Sequence, residues 1–225
     1  MTQSARALFR ATGKKSKPKT VRLLDGSYSK TDTAEREKDE FYPTPPQPTQ
    51  SLLYREAWRL KDFGAIWEPA CGDGAMMREI SAAGFACCGS DLVDRGCGAE
   101  IVDFFDMKKA PAKAIITNPP YNLVNTRDGN GRWVWHALDV LKIEYMALLL
   151  NWSWAGAAGN AKLWAAHQPA RVYLMRWKID FTGEGAPPML HAWFVWDRKH
   201  VGECQLFMMD RKDSRQGQMF GEAAA

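Results

Sequence analysis

Short apolar runs alternate with amphipathic stretches between about residues 49 and 196, and that alternation sets the expected architecture. Runs at 65–68, 85–91, 100–104, 114–117, 145–150, 171–177 and 191–196 have strand length. Helical spacing covers 49–60, 75–83, 133–141 and 160–166. The first of these takes Thr49 or Ser51 as its cap and Leu52, Leu53, Ala57, Trp58 and Leu60 as its apolar positions. Ahead of it, 41–48 is an extended aromatic and proline segment, unsuited to helix or central strand. The polar stretch 122–132 and the Gly- and Pro-containing stretch 180–188 read as loops. Residues 1–40 lack sustained periodicity and read as an arm that is largely disordered when free. Residues 204–225 read as a polar, frayed tail in which 204–209 could add a short strand. The expected division is therefore an arm over 1–40, one domain over 41–203 and a tail over 204–225.

Composition supports a single core. At 225 residues and 46% hydrophobic, the chain can bury one full core. No run approaches the ~20 apolar residues of a membrane span, and no signal-peptide pattern follows the N-terminus. Five cysteines (Cys71, Cys87, Cys88, Cys97 and Cys204) form no CxxC pair and have no histidines at zinc spacing. They read as reduced thiols in a cytoplasmic protein, with no metal site expected.

Charge adds a partner. Residues 1–40 hold ten Lys/Arg against six Asp/Glu, while residues 41–225 hold twenty of each. Residues 1–22 alone contain seven basic residues and no acidic one. Such an arm attracts phosphate by counterion release, which points to nucleic acid; a solvated tail without a partner is the plain alternative.

The candidate chemistry sits at strand ends. Ile115-Ile116-Thr117 runs into Asn118-Pro119-Pro120-Tyr121, and the prolines force the strand to stop and the chain to turn. Asn118 and the Pro119 carbonyl then offer two hydrogen-bond acceptors, beside the ring of Tyr121. Two acceptors and a stacking ring suit a planar exocyclic amine, whose attacking pyramidal form they would stabilise. Upstream, Glu68-Pro69-Ala70-Cys71-Gly72-Asp73-Gly74 follows a short strand, and its glycines allow close approach of backbone and ligand. Asp91 ends the next strand nineteen residues after Gly72, the spacing of a ribose-binding acid. Asp103 and Phe104 end the third, with Asp106 as an alternative. Each residue also has an ordinary reading: a proline turn, a tight glycine turn, a turn-forming aspartate.

Taken together over residues 41–121, these motifs resemble the class I S-adenosylmethionine-dependent methyltransferases. Asn-Pro-Pro-Tyr is similar above all to the catalytic motif of the N6-adenine DNA methyltransferases. The resemblance implies a Rossmann-like α/β fold, with a mostly parallel seven-stranded sheet, a closing antiparallel hairpin and helices on both faces. It implies S-adenosylmethionine held by Tyr42, Thr44, Glu68, Pro69, Gly72, Asp73, Gly74, Asp91, Asp103 and Phe104. Asp91 would take the ribose, with Asp103 and Phe104 on the cofactor's adenine. It implies catalysis by Asn118, Pro119, Pro120 and Tyr121 on an adenine flipped out of DNA.

Ser is usual at the position of Asn118 in N4-cytosine enzymes, and the Pro-Cys pair of C5-cytosine enzymes is missing. RNA adenine, the side-chain amide of a protein glutamine, and a silent nucleic-acid-binding module remain as alternatives. The separate target-recognition domain common in such DNA enzymes has little room in the 104 residues after Tyr121. Recognition is therefore expected from 122–132, 179–190 and the basic arm, as in compact phage or prophage enzymes. Of ten tryptophans, Trp67, Trp193 and Trp196 read as core. Trp133, Trp135, Trp152 and Trp154 fall toward the catalytic end.

Overall fold

The computed structural model describes residues 20–22, 28–30, 43–125, 131–181, 183, 185 and 189–211. The expected arm thus falls mostly outside the described residues. Within it the backbone of Thr20–Arg22 (β1) pairs antiparallel with Tyr28–Lys30 (β2). The remaining strands are Ile66–Glu68 (β3), Cys87–Asp91 (β4), Glu100–Ile101 (β5), Ala114–Thr117 (β6) and Tyr145–Asn151 (β7). Arg171–Met175 (β8), His191–Asp197 (β9) and Gln205–Met209 (β10) follow. They form one sheet in the order β10-β8-β9-β7-β6-β3-β4-β5. Every neighbouring pair is parallel except those of β9, which runs antiparallel between β7 and β8.

The mostly parallel sheet with its antiparallel hairpin is the expected one, with a correction in number: eight strands, not seven. The eighth is the short strand that the sequence allows over 204–209, within the expected tail. Gln205–Met209 adds to β8 with Gln205 opposite Arg171, and Phe207 stacks on Tyr173 at 5.4 Å. It is an edge strand whose Leu206, Phe207 and Met208 keep much of their surface exposed, so burial stamps no clear pattern on it.

Among the described residues five α-helices flank the sheet: Pro46–Leu60 (α1), Ala75–Ala82 (α2), Tyr121–Val124 (α3), Arg132–Trp135 (α4) and Ala161–Ala166 (α5). A π-turn at His136–Val140 continues α4. Successive β7 residues enter opposite cores. Tyr145, Ala147 and Leu149 pack with Leu52, Leu60, Met76 and Ile80 of α1 and α2. Met146, Leu148 and Leu150 pack with Val124, Trp133, Val134 and Leu163 of α3, α4 and α5. A strand covered on both faces needs no polar positions, which is why 145–150 reads as an unbroken apolar run.

Helix α1 corrects three expectations. It begins at Pro46, inside the segment read as extended, because first-turn N–H groups have no partner within the helix and proline sacrifices nothing there. Thr49 and Ser51 are therefore not caps; both lie inside the helix, fully buried. Trp58 is 63% exposed, with the Arg171 guanidinium 5.5 Å from its ring. Charged residues are buried instead. Glu56 receives two hydrogen bonds from Arg171, both at 2.8 Å, and one from the Tyr173 hydroxyl. Asp197 accepts from Arg171 and from Arg59, each at 3.0 Å. This network ties α1 to the start of β8 and the end of β9.

Among the described residues no helix is long and apolar enough to cross a membrane. Nor, among them, is any group of three or more His, Cys, Asp or Glu arranged to hold a metal ion. The five cysteines are free.

Candidate active site

Strands β6, β3, β4 and β5 lie side by side and parallel, so their carboxyl ends share one edge. Open α/β sheets bind ligands at that edge. A cavity of about 410 Å³ opens there, a size that suits a small ligand. Of the predicted residues, Thr44, Glu68, Pro69, Gly72, Asp73, Asp91, Asp103, Phe104, Asn118, Pro119, Pro120 and Tyr121 all line it. Gly74 shapes the loop without lining the cavity, and Tyr42 lies outside the described residues.

The loop after β3 is held by its own backbone and by Asp91. Gly72 and Gly74 have φ of 55° and 78°, which side chains other than hydrogen adopt at a cost. Gly74 N donates to Cys71 O at 2.8 Å, closing the turn that starts α2. Asp91 accepts from Gly72 N at 2.8 Å with one carboxylate oxygen and from Val93 N at 3.0 Å with the other. The acid at the end of β4 therefore braces two loops, while each oxygen keeps a lone pair for a ligand. Gly89 lets α2 approach β4, since a Cβ there would lie 2.4 Å from the Met77 sulfur.

Glu68 is the buried acid of this half. It is 2% exposed, and its Oε2 has no hydrogen-bond partner among the described residues. Burial pushes its carboxyl well above the usual range, against a hydrogen bond from the Met77 backbone; Cys97, Asp73 and Asp91 push it the same way as burial.

At the next strand end, Asp103 Oδ1 accepts from Phe105 N at 2.8 Å, and its carbonyl accepts from Asp106 N. Asp103 lines the cavity and Asp106 does not. Phe104 is 5% exposed and stacks on Trp133 at 4.0 Å, so one face of its ring is already covered.

The Asn-Pro-Pro-Tyr segment leaves β6 and turns into α3, with Pro120 at the N-cap and Leu123 N donating to Pro120 O at 3.0 Å. The indole of Trp154 anchors the far end of α3 through the Val124 carbonyl at 3.3 Å. Asn118 Nδ2 donates to Thr44 Oγ1 at 3.1 Å, while Oδ1 has no partner among the described residues. Of the four tryptophans assigned to this end, Trp133 lines the cavity. Trp152 and Trp154 pack on Phe194, and Trp135 meets His167 edge-on. Trp67, Trp193 and Trp196 are core, as expected.

Several lining residues were not singled out by the sequence, although Arg132, Phe181 and Met189 fall within 122–132 and 179–190, the segments expected to contribute to recognition. Arg132 lies over the Phe105 ring at 3.8 Å. Leu92 and Val93 follow Asp91, and Phe181, Met189 and His191 close the side facing β9. Leu92 and Val93 could have been found by stepping past the strand-terminal acid. The other residues depend on contacts distant in sequence.

No family model and no curated sequence matches the chain. Solved structures do match in shape. One is a Listeria monocytogenes protein described as a class I S-adenosylmethionine-dependent methyltransferase, with TM-score 0.54 and 11% identity, covering 83% of this chain and 69% of that one. The fold is that of the class I methyltransferases. A second match is a Pyrococcus horikoshii protein described as an RNA methyltransferase, with TM-score 0.54 and 12% identity, covering 70% of this chain and 87% of that one. A third is the DrdV–DNA complex, with TM-score 0.51 and 12% identity, covering 84% of this chain and 30% of that one.

Proposed function

We propose that this chain is an S-adenosylmethionine-dependent methyltransferase acting on the N6 amine of adenine in DNA. The setting of Asn118 carries the reading: the residue lines the cavity, its Nδ2 is committed to Thr44, and its Oδ1 has no partner among the described residues. An oriented carbonyl oxygen beside Pro119 and an aromatic ring is what a planar amine needs. The methyltransferase fold and the basic residues at 1–22 support it, as does a neighbour of the same fold bound to DNA.

The cofactor half of the cavity fits the proposed ligand. Gly72 and Gly74 add no side chains to the loop beside Asp73, Asp91 offers carboxylate lone pairs to ribose hydroxyls, and the Glu68 oxygen without a partner among the described residues awaits a polar group. Asp103 and Phe104 stand at the next strand end for the adenine. When bound, S-adenosylmethionine supplies a sulfonium-activated methyl group.

The remaining work falls to the chain. Asn118 Oδ1 and the Pro119 carbonyl accept the two N–H groups of the amine. They thereby favour the pyramidal form whose lone pair attacks, a stabilisation by fixed dipoles. Tyr121 supports the flat ring, which must leave a duplex to reach this depth. No covalent intermediate with the protein is required; positioning supplies the rest.

The test is a methylation assay with isotope-labelled cofactor on single- and double-stranded DNA and RNA, read by mass spectrometry of the nucleosides. Labelled N6-methyldeoxyadenosine is expected. It should vanish in Asn118→Ala while S-adenosylhomocysteine still binds, and Asp91→Ala should weaken that binding. Unchanged methylation by Asn118→Ala would overturn the assignment, and label found only in RNA or in protein amide would reassign the substrate.

A further inference from the structure

The cavity continues beyond the residues assigned to the cofactor, toward β9. There its wall is formed by Tyr121, Phe181, Met189 and His191. His191 is the first residue of β9 and pairs in register with Asn151, the last residue of β7, so two strands fix its backbone. Its side chain is 1% exposed, and its Nδ1 has no hydrogen-bond partner among the described residues. The neighbouring amide is already used: Asn151 gives its Nδ2 to the Met189 sulfur and takes Ser153 N on Oδ1. Phe181 meets the imidazole edge-on at 5.3 Å, a contact that an apolar ring would make equally well.

A buried imidazole nitrogen without a partner is costly, and a phenylalanine would fill the same place without that cost. Burial keeps the ring neutral at physiological pH, pushing it down to about 4. A neutral imidazole always carries one N–H donor. A ligand edge that accepts this hydrogen bond accounts for the residue.

Resting on the adenine reading above, we propose that His191 is a specificity-determining residue that donates a hydrogen bond to the ring nitrogen adjacent to the amine-bearing carbon of the target base. Adenine presents that acceptor at N1. An amine without the neighbouring ring nitrogen leaves the imidazole unpaired and is rejected, because a site built around a polar contact discriminates against analogues that lack it.

The experiment compares wild type, His191→Phe and His191→Gln in the full chain. Substrates are an adenine-rich single-stranded oligonucleotide and the same oligonucleotide with 1-deazaadenine in place of adenine. S-adenosylhomocysteine affinity is measured in parallel by calorimetry. Wild type should prefer adenine over 1-deazaadenine by roughly 10–100-fold in kcat/KM, the effect of one buried hydrogen bond. His191→Phe should lose most of that preference and His191→Gln should restore part of it, with cofactor-product affinity unchanged in both. A His191→Phe enzyme that keeps the preference overturns the inference, and so does loss of S-adenosylhomocysteine binding together with activity. Either result leaves adenine methylation by wild type intact, whereas failure of wild type to methylate any adenine overturns the functional reading and this inference together.

Discussion

Asn118 and Thr44 are joined across 74 positions of chain by a hydrogen bond from the amide Nδ2 to the hydroxyl Oγ1 at 3.1 Å. The bond links the end of β6 to the residue two before Pro46, where α1 begins. An amide can rotate to exchange its oxygen and nitrogen, and a hydroxyl can accept or donate; here Thr44 accepts, which turns the amide oxygen to the other side. In this arrangement Thr44 engages the amide nitrogen, and on the proposed reading it is the oxygen that Asn118 would present to an amine.

Removing that acceptor should slow transfer more than it weakens cofactor binding. Thr44→Val is expected to lower kcat about 10-fold, the scale of one hydrogen bond, and Thr44→Ser should retain most activity. The check is single-turnover methyl transfer at saturating cofactor, with S-adenosylhomocysteine affinity measured alongside. Equal kcat values for Thr44→Val and wild type would remove the orienting role.

The buried charges under α1 give a stability prediction. Arg171→Met strands the fully buried Glu56 carboxylate, and breaking such a pair costs about 3–5 kcal/mol. Adding Glu56→Leu should recover much of the loss, because an apolar pair of similar volume carries no desolvated charge. Urea denaturation of the single and double variants measures both. A single variant as stable as wild type would show that the network contributes little.

His191 gives stability a pH dependence. Burial alone depresses its folded-state pKa to about 4, whereas the unfolded chain takes up that proton near the ordinary imidazole value of 6.5. Between those values the unfolded state binds more protons, so this contribution to stability falls as pH drops from 6.5 toward 4. The loss reaches about 3 kcal/mol and then levels off. His136 is shifted down chiefly by burial and acts in the same direction. Denaturation from pH 7 to pH 4 should therefore show a shallower fall in His191→Gln than in wild type. Parallel curves for the two would contradict the assignment.

Much of this molecule was legible because local chemistry and global position coincide. The unbroken run at 145–150 announces a strand covered on both faces, and Gly72-Asp73-Gly74 and Asn118-Pro119-Pro120-Tyr121 mark strand ends because only such residues turn the chain there. Asp91 was found by spacing, although its part in bracing Gly72 and Val93 was not foreseen. The missed features lack such local causes. The start of α1 at Pro46 hides because proline signals both a helix's first turn and an extended segment. Trp58 faces water and Glu56 the interior since Arg171, 115 positions from Glu56, supplies the matching charge. His191 acquires its setting from Asn151 and Phe181, neither of which is its near neighbour in sequence.

The insertion of β9 between β7 and β8 also dictates an order of assembly. β8 is made before β9, yet its two neighbours in the sheet are β9 and β10, both later in the chain. Residues 171–175 thus have no sheet partner until 191–197 arrive, whereas β3 to β7 can pair among themselves. Such non-local pairing is slow, since loop closure precedes any gain from contact. The glycine loop and Asn118 belong to the part that can form early, and His191 to the part that must form late. A growing chain would thus acquire the glycine-loop side of the cavity before the wall to which His191 belongs. Pulsed hydrogen exchange during refolding should find the amides of 171–175 protected no earlier than those of 191–197.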